Sequence, residues 1–219
     1  FQVMEHFDFA RILKFLPGII LGLTVHEFSH AFVARLCGDN TSQEQGRVTL
    51  NPFKHIDLLG FIMLLFAGFG WAKPVQFNEQ NLRNPHIDVM KIAFAGPLSN
   101  AITAIVISFL LAVFNLLVTQ HNAITLILND IFVYAIYINW GLFVFNMIPL
   151  PPLDGSHLLL NYFKKFPVLY ENMYKYGSYV FFGLILVMLI TKINLLPIWP
   201  VVRFLGDGIL GFFENLVVR

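Results

Sequence analysis

The apolar positions of this chain gather into long runs separated by short polar breaks. Four runs, 15–37, 89–118, 131–148 and 176–190 or slightly beyond, come close to or exceed the length a membrane-spanning helix needs, about 20 mostly apolar residues. Each is predicted to be helical. A shorter run, LLGFIMLLFAGFGW at 58–71, contains Gly68 and Gly70, which weaken a helix. Runs of that length are more often re-entrant or buried than spanning. In the C-terminal segment from 196, Arg203, Asp207 and Glu214 fall at helix-compatible spacing, which allows either an interfacial helix or a further crossing. Two short β-prone stretches, GRVTL (46–50) and PVQFN (74–78), are bounded by Gly or Pro and are expected to pair near the mouth of any site between the helices. The pattern thus predicts an all-α polytopic membrane protein with about four to six membrane helices. A short re-entrant or β-hairpin region is expected between the first and second long helices. No internal repeat, cleaved leader or hydrophilic domain is legible. Residues 1–219 are expected to form one membrane-embedded domain, with core motifs in 15–160 and C-terminal helices in 161–219.

Composition supports lipid as the main solvent. Hydrophobic residues make up 57% of the chain and charged residues 12%, against about 25% charged in an average soluble domain. Mean hydropathy is +0.70. A net charge of +1 is uninformative by itself, and no nucleic-acid partner is expected. The single cysteine, Cys37, rules out an intramolecular disulfide and any Cys-rich metal motif. The placement of basic residues says more. The stretch 119–130 has no Lys or Arg, whereas 164–175 has Lys164, Lys165 and Lys175. The positive-inside rule puts the first outside and the second in the cytoplasm. Arg35, Arg47, Lys54, Lys73, Arg83 and Lys91 then all face the cytoplasm if 58–71 turns back without crossing. The same orientation leaves Arg11 and Lys14 outside, a partial violation of the rule.

Inside the first apolar run stands TVHEFSH, 24–30. His26 and His30 are one turn apart on the same helix face. Two imidazoles so placed can bind one Zn²⁺, and Glu27 on the flank of that face can act as general base. Two buried histidines could also be coincidental. An ionisable Glu27 within a membrane helix costs about 2.5–3.5 kcal/mol even on insertion scales, so it calls for a purpose.

Such a metal needs a third protein ligand and an open position for water. The candidates are His55, Asp57, His86, Asp88, Asp154 and His157. Asp57, Asp88, His55 and His86 sit at element boundaries, where polar groups are ordinarily solvated. Asp154 follows the run 131–148 through Pro149, Pro151 and Pro152, which cannot continue a helix. The irregular backbone they force near the membrane is tolerated against a protein-lined cavity or water. The Asp154-Gly155 turn can aim a carboxylate inward, at about the depth of the two histidines.

HEFSH in a membrane helix, FAGPLSNAI (94–102) and NMIPLPPLDGSHLL (146–159), in that order, resemble the site-2 protease family of intramembrane zinc metalloproteases. The intervening GRVTLNPFKHIDLLG and GFGWAKPVQFN resemble its compact prokaryotic branch without PDZ or CBS domains. The resemblance covers about 15–160. It implies one Zn²⁺ per chain held by His26, His30 and Asp154, with Glu27 as base. It also implies that Asn100 faces the site, where its amide could hold the scissile carbonyl or its oxyanion; the other use of Asn100 is a hydrogen bond between membrane helices. The partners implied are a transmembrane helix of a membrane-protein substrate and the lipid bilayer. The expected location is the prokaryotic inner membrane, with the site toward the cytoplasm. No oligomeric state is implied. Two competing classes use the same residues: a zinc transporter or channel, which wants polar groups along a whole pathway, and a non-catalytic helix-binding relative, which has no need of Glu27.

Overall fold

The computed structural model describes residues 9–67, 70–118, 120 and 122–217. Eight helices are found among them: α1 (Phe9–Leu36), α2 (Thr41–Glu44), α3 (Leu58–Ala67), α4 (Pro85–Leu117), α5 (Ala123–Asn146), α6 (Gly155–Phe163), α7 (Pro167–Thr191) and α8 (Ile198–Val217). Three of them, over Ala10–Leu36, Pro85–Leu117 and Ala123–Asn146, are long and apolar enough to cross a membrane.

The helices overrun their apolar cores, for local reasons. Helix α5 begins eight residues before the expected start at 131, because Asn122 caps it: its side chain accepts from the Ile124 and Thr125 N–H groups, and Thr125 Oγ1 accepts from the Asn122 N–H. Most of the stretch expected as an outer loop is therefore helix. Helix α7 begins at Pro167 rather than 176; proline at the first helical position gives up only an N–H that has no partner there.

Helices α1, α4 and α5 pack as a three-helix centre. Helices α1 and α5 run in the same direction, as shown by the ion pair Lys14–Asp130 at 2.7 Å and by the close approach of Gly18 to Ala135 and Gly22 to Asn139. A Cβ on Gly18 would lie 2.7 Å from Ala135 Cα, and one on Gly22 would lie 2.7 Å from Leu142 Cδ1. The G-x-x-x-G spacing thus lets the two backbones approach. Helix α4 runs antiparallel between them. Ala101, Ala104, Ile107 and Leu111 of α4, Ala135, Ile136 and Trp140 of α5 and Val202 of α8 form one buried cluster. The undecided C-terminal segment is thus a helix lying alongside α4 and α5, with Gly206 against the Tyr137 ring.

The expected β-hairpin does not form. Among the described residues there is no strand, only an isolated antiparallel bridge between Ile56 and Ala72, with Lys73 N–H donating to His55 C=O at 2.7 Å. The stretch 46–50 is turn, bend and coil, and 74–78 is coil without a partner strand. Side chains take the place of the ladder. Asp39, fully buried, accepts from Asn78 N–H at 2.9 Å and Asn81 Nδ2 at 2.9 Å; Ser42 Oγ donates to Gln76 C=O at 2.5 Å; and the Arg47 guanidinium donates to Lys73 C=O. Helix α3 has ten residues, about 15 Å of rise. The chain after it returns along it, with Trp71 against Gly60 and Gly70 against Leu64, so that Ile56 and Ala72 meet. Gly68, expected to weaken this helix, lies outside the described residues.

Candidate metal centre

The HExxH face of α1 lies at its C-terminal third, where α4 crosses it and the turn before α6 closes over it. His26 and His30 are both buried, and their Nε2 atoms are 3.0 Å apart. Asp154 Oδ2 lies 3.0 Å from His26 Nε2 and 3.4 Å from His30 Nε2. Among the described residues, His26, His30 and Asp154 form the group whose ligand atoms converge, all within 4.8 Å of one another.

Each imidazole is oriented from behind. His26 Nδ1 donates to Asn100 Oδ1 at 2.6 Å, and His30 Nδ1 donates to Ile92 C=O at 2.7 Å. With both Nδ1 atoms facing acceptors, both Nε2 atoms carry lone pairs. Asp154 Oδ2 is buried and no hydrogen bond reaches it. In these tautomers three acceptor atoms, two nitrogen and one carboxylate oxygen, converge. Alone they repel one another; a divalent cation between them removes the conflict. The donor set and spacing fit zinc, with three protein ligands and an open side.

The open side faces a cavity of about 540 Å³ lined by Glu27, Val75, Phe77, Asn146, Pro152 and His157 among others. Glu27 is 8% exposed, and its Oε2 accepts from Val75 N–H at 3.0 Å. The segment 74–78 therefore passes directly over the HExxH motif. Gln76 C=O and Asn78 N–H turn to Ser42 and Asp39; Val75 turns its N–H to Glu27, on the cavity side.

The motif FAGPLSN (94–100) is explained by what it leaves room for. A Cβ on Gly96 would overlap His30 Nε2 and lie 2.6 Å from His30 Cε1 and 2.7 Å from His26 Cε1. Gly96 is the space in which the two imidazoles meet. Four residues on, Asn100 is fully buried, and its Nδ2 donates to Gly22 C=O and to Asn139 Oδ1, each at 3.0 Å. Asn100 thus reaches the site from behind His26, with both amide hydrogens engaged. In the Asp-Gly turn, a Cβ on Gly155 would lie 2.6 Å from the Met147 carbonyl carbon, so only glycine lets the backbone fold tightly enough to bring Asp154 back to α1.

The other candidates for third ligand lie elsewhere. His55, expected near an interface, is fully buried and donates from Nε2 to Thr49 C=O at 2.7 Å; burial lowers its pKa. Asp57 caps α3 by accepting from Gly60 N–H at 2.8 Å. Asp88, expected to be solvated, is buried and pairs with Lys91 at 2.8 Å and with Asn84 N–H at 2.8 Å. His86 lies 3.5 Å from Lys164 Nζ. His157 lines the cavity outside the converging group, and burial lowers its pKa. Sequence reasoning missed Gly96 and Asn139. Gly96 stands in a quoted motif, and its glycine identity was the available signal; Asn139 sits in an apolar run with no motif around it.

The family model described as Peptidase family M50 matches residues 14–188. A Bacillus subtilis protein named "Putative zinc metalloprotease YwhC" is 37% identical over 199 residues, 90% of each chain. "Putative zinc metalloprotease MJ0611" of Methanocaldococcus jannaschii is 31% identical over 152 residues, 68% of this chain and 71% of that one. "Putative zinc metalloprotease Rip2" of Mycolicibacterium smegmatis is 30% identical over 148 residues, 64% of this chain and 53% of that one. No solved structure matches the chain. The matched region contains the HExxH motif of α1, the imidazole-clearing glycine of α4 and the Asp-Gly turn, and the chain belongs to peptidase family M50, the site-2 proteases, as an integral-membrane metalloprotease.

Proposed function

We propose that this protein is an intramembrane zinc endopeptidase that cuts transmembrane segments of other membrane proteins. The observation that carries the proposal is the convergence of His26 Nε2, His30 Nε2 and Asp154 Oδ2 beside Glu27 on a membrane helix. His26, His30 and Asp154 would hold one zinc per chain. Bound there, zinc supplies Lewis-acid polarisation and lowers the pKa of water to about 7. Glu27 takes a proton from the attacking water and passes it to the leaving amine nitrogen. Asn100 keeps the His26 ring in place rather than binding the oxyanion, since its amide hydrogens are occupied. The substrate must unwind locally before a peptide bond can enter. Its freed backbone groups pair with the cavity-side edge of 74–78, by strand addition.

The proposed topology is a single membrane-embedded domain of four or five membrane helices, within the expected four to six: α1, α4 and α5, with α7 and α8 as the further candidates. Helix α3 enters and returns on one side, which the meeting of Ile56 with Ala72 supports. The site opens toward the cytoplasm of a prokaryotic inner membrane, on the charge asymmetry of the loops.

The test is cleavage of a model transmembrane substrate by the purified full chain in lipid, with zinc measured in parallel. Glu27→Gln is expected to lower the rate about 10²–10⁴-fold with zinc retained, whereas His26→Ala and Asp154→Ala are expected to lose the metal. Parental cleavage by Glu27→Gln, or full zinc occupancy in Asp154→Ala, would overturn the assignment.

A further inference from the structure

Asn139 of α5 is fully buried, lies in an apolar run and touches neither the cavity nor the converging ligand atoms. Its hydrogen bonds nevertheless lead to the site. Asn139 Nδ2 donates to Ala135 C=O at 2.8 Å, so its Oδ1 faces α4. That oxygen, together with Gly22 C=O of α1, presents two acceptors to Asn100. Only the Asn100 amide nitrogen satisfies both, so Asn100 Oδ1 is turned to His26 Nδ1. Were the Asn100 amide reversed, two oxygen–oxygen contacts near 3.0 Å would replace two hydrogen bonds. A buried polar group left unpaired is destabilising, and lipid offers no replacement donor. The network therefore has one direction, from the α5 carbonyl through two amides to the imidazole. Gly22 permits it, since a Cβ there would lie 3.0 Å from Asn139 Oδ1.

We infer that Asn139 is a positioning residue for His26: acting through the Asn100 amide, it fixes His26 with Nδ1 as donor and Nε2 as the free lone pair facing Asp154 and His30. The inference rests on the zinc site proposed above. It assigns a role in metal affinity to a residue with no contact to the metal position, and it ties that affinity to the registration of α1, α4 and α5.

The test measures zinc affinity of the full chain in detergent or lipid by chelator competition, and the visible absorption of the cobalt-substituted protein. Asn139→Leu and Asn139→Ala are made alone and together with Asn100→Ala. Each single Asn139 variant is expected to weaken zinc binding about 3–10-fold, below or at the lower edge of the 10–100-fold typical of groups that contact a ligand directly, and to change the cobalt spectrum. In the Asn100→Ala background neither Asn139 variant should weaken binding further, because the path to His26 is already cut. If the leucine variant does not assemble, the alanine variant, which only removes atoms, carries the comparison. Parental affinity and spectrum in the Asn139 variants would overturn the inference alone, as would equal weakening with and without the Asn100 amide. Failure of the parental chain to bind zinc would overturn the site itself and this inference with it.

Discussion

Gly96 shows how much of the site depends on an absent side chain. Its Cβ position is taken by both imidazoles, within 2.7 Å of His26 Cε1 and closer still to His30. Alanine is the better helix former by about 1 kcal/mol, so Gly96→Ala is expected to keep α4 intact while splaying the histidines. Metal analysis should show zinc binding weakened at least about tenfold, with helix content by circular dichroism unchanged. Parental zinc content in that variant would mean the rings have room to shift together. Glu27 is the other residue whose neighbour matters: its carboxylate holds the Val75 N–H, so the proposed base and the wall of the cavity are one hydrogen-bonded unit.

At the level of elements, the segment 74–78 is held on one side by Asp39 and Ser42 acting on Asn78 and Gln76, and on the other by Glu27 accepting from Val75 N–H. Beyond that bond, Val75 and Phe77 face the cavity. Proline removes a backbone donor and cannot serve inside a pairing edge. Phe77→Pro is expected to reduce cleavage about tenfold or more with zinc retained, Phe77→Leu to be much milder, and Gln76→Pro, whose N–H turns away from the cavity, to fall between them. Parental cleavage by Phe77→Pro would leave the segment as a wall rather than a substrate edge. Asp39 offers a pH test of the clamp. Burial works to raise its carboxyl, but four hydrogen bonds to Thr41, Asn78 and Asn81 hold it below the ordinary carboxylate range. A carboxylate whose folded pKa is depressed stabilises the fold above its unfolded pKa, about 4, and the stabilisation is lost as pH falls through the folded value. Asp39→Asn is therefore expected to lower the thermal midpoint at pH 7, by about 1–3 kcal/mol of lost bonding, and to flatten the further loss seen in the parental chain below about pH 4. An unchanged acid limb would place that transition on other carboxylates.

For the molecule as a whole, the converging group joins α1 to the turn between α5 and α6, positions 124–128 apart in sequence. A ligand that binds only the folded state stabilises it by mass action, about 4 kcal/mol at a thousandfold excess over its dissociation constant. Chelation is expected to lower the thermal midpoint of the parental chain and to leave that of His26→Ala unmoved; an equal shift in both would mean the chelator acts elsewhere. The path of the chain between α2 and α4 can be read by labelling. Gln45 and Gln80 are both exposed, on either side of α3. Single cysteines placed there in a Cys37→Ala background should label from the same face of the membrane. Labelling from opposite faces would make α3 a crossing and contradict the antiparallel packing of α4 on α1.

What the sequence determined by itself was whatever repeats within a few residues. The i, i+4 histidines, the flanking glutamate, the apolar runs that became α1, α4 and α5, and the Asp-Gly turn after three prolines are all local facts, fixed by helix periodicity, bilayer thickness and the geometry of proline and glycine. Helix ends were less legible, because capping by Asn122 and the first-turn Pro167 extend helices beyond their apolar cores. The hairpin failed because β-prone residues form strands only when a neighbouring edge is in register, and here Asp39, Ser42 and Arg47 occupy that role. Tertiary structure alone brought Asp154 Oδ2 within 3.0 Å of His26 Nε2 and 3.4 Å of His30 Nε2, buried His55 and Asp88, and turned the Asn100 amide to His26. The convergence on His26 and the turn of the Asn100 amide rest on contacts 39–128 residues apart in sequence, made possible where Gly18, Gly22 and Gly96 let three helices approach; no local pattern encodes which distant side chain will be waiting there.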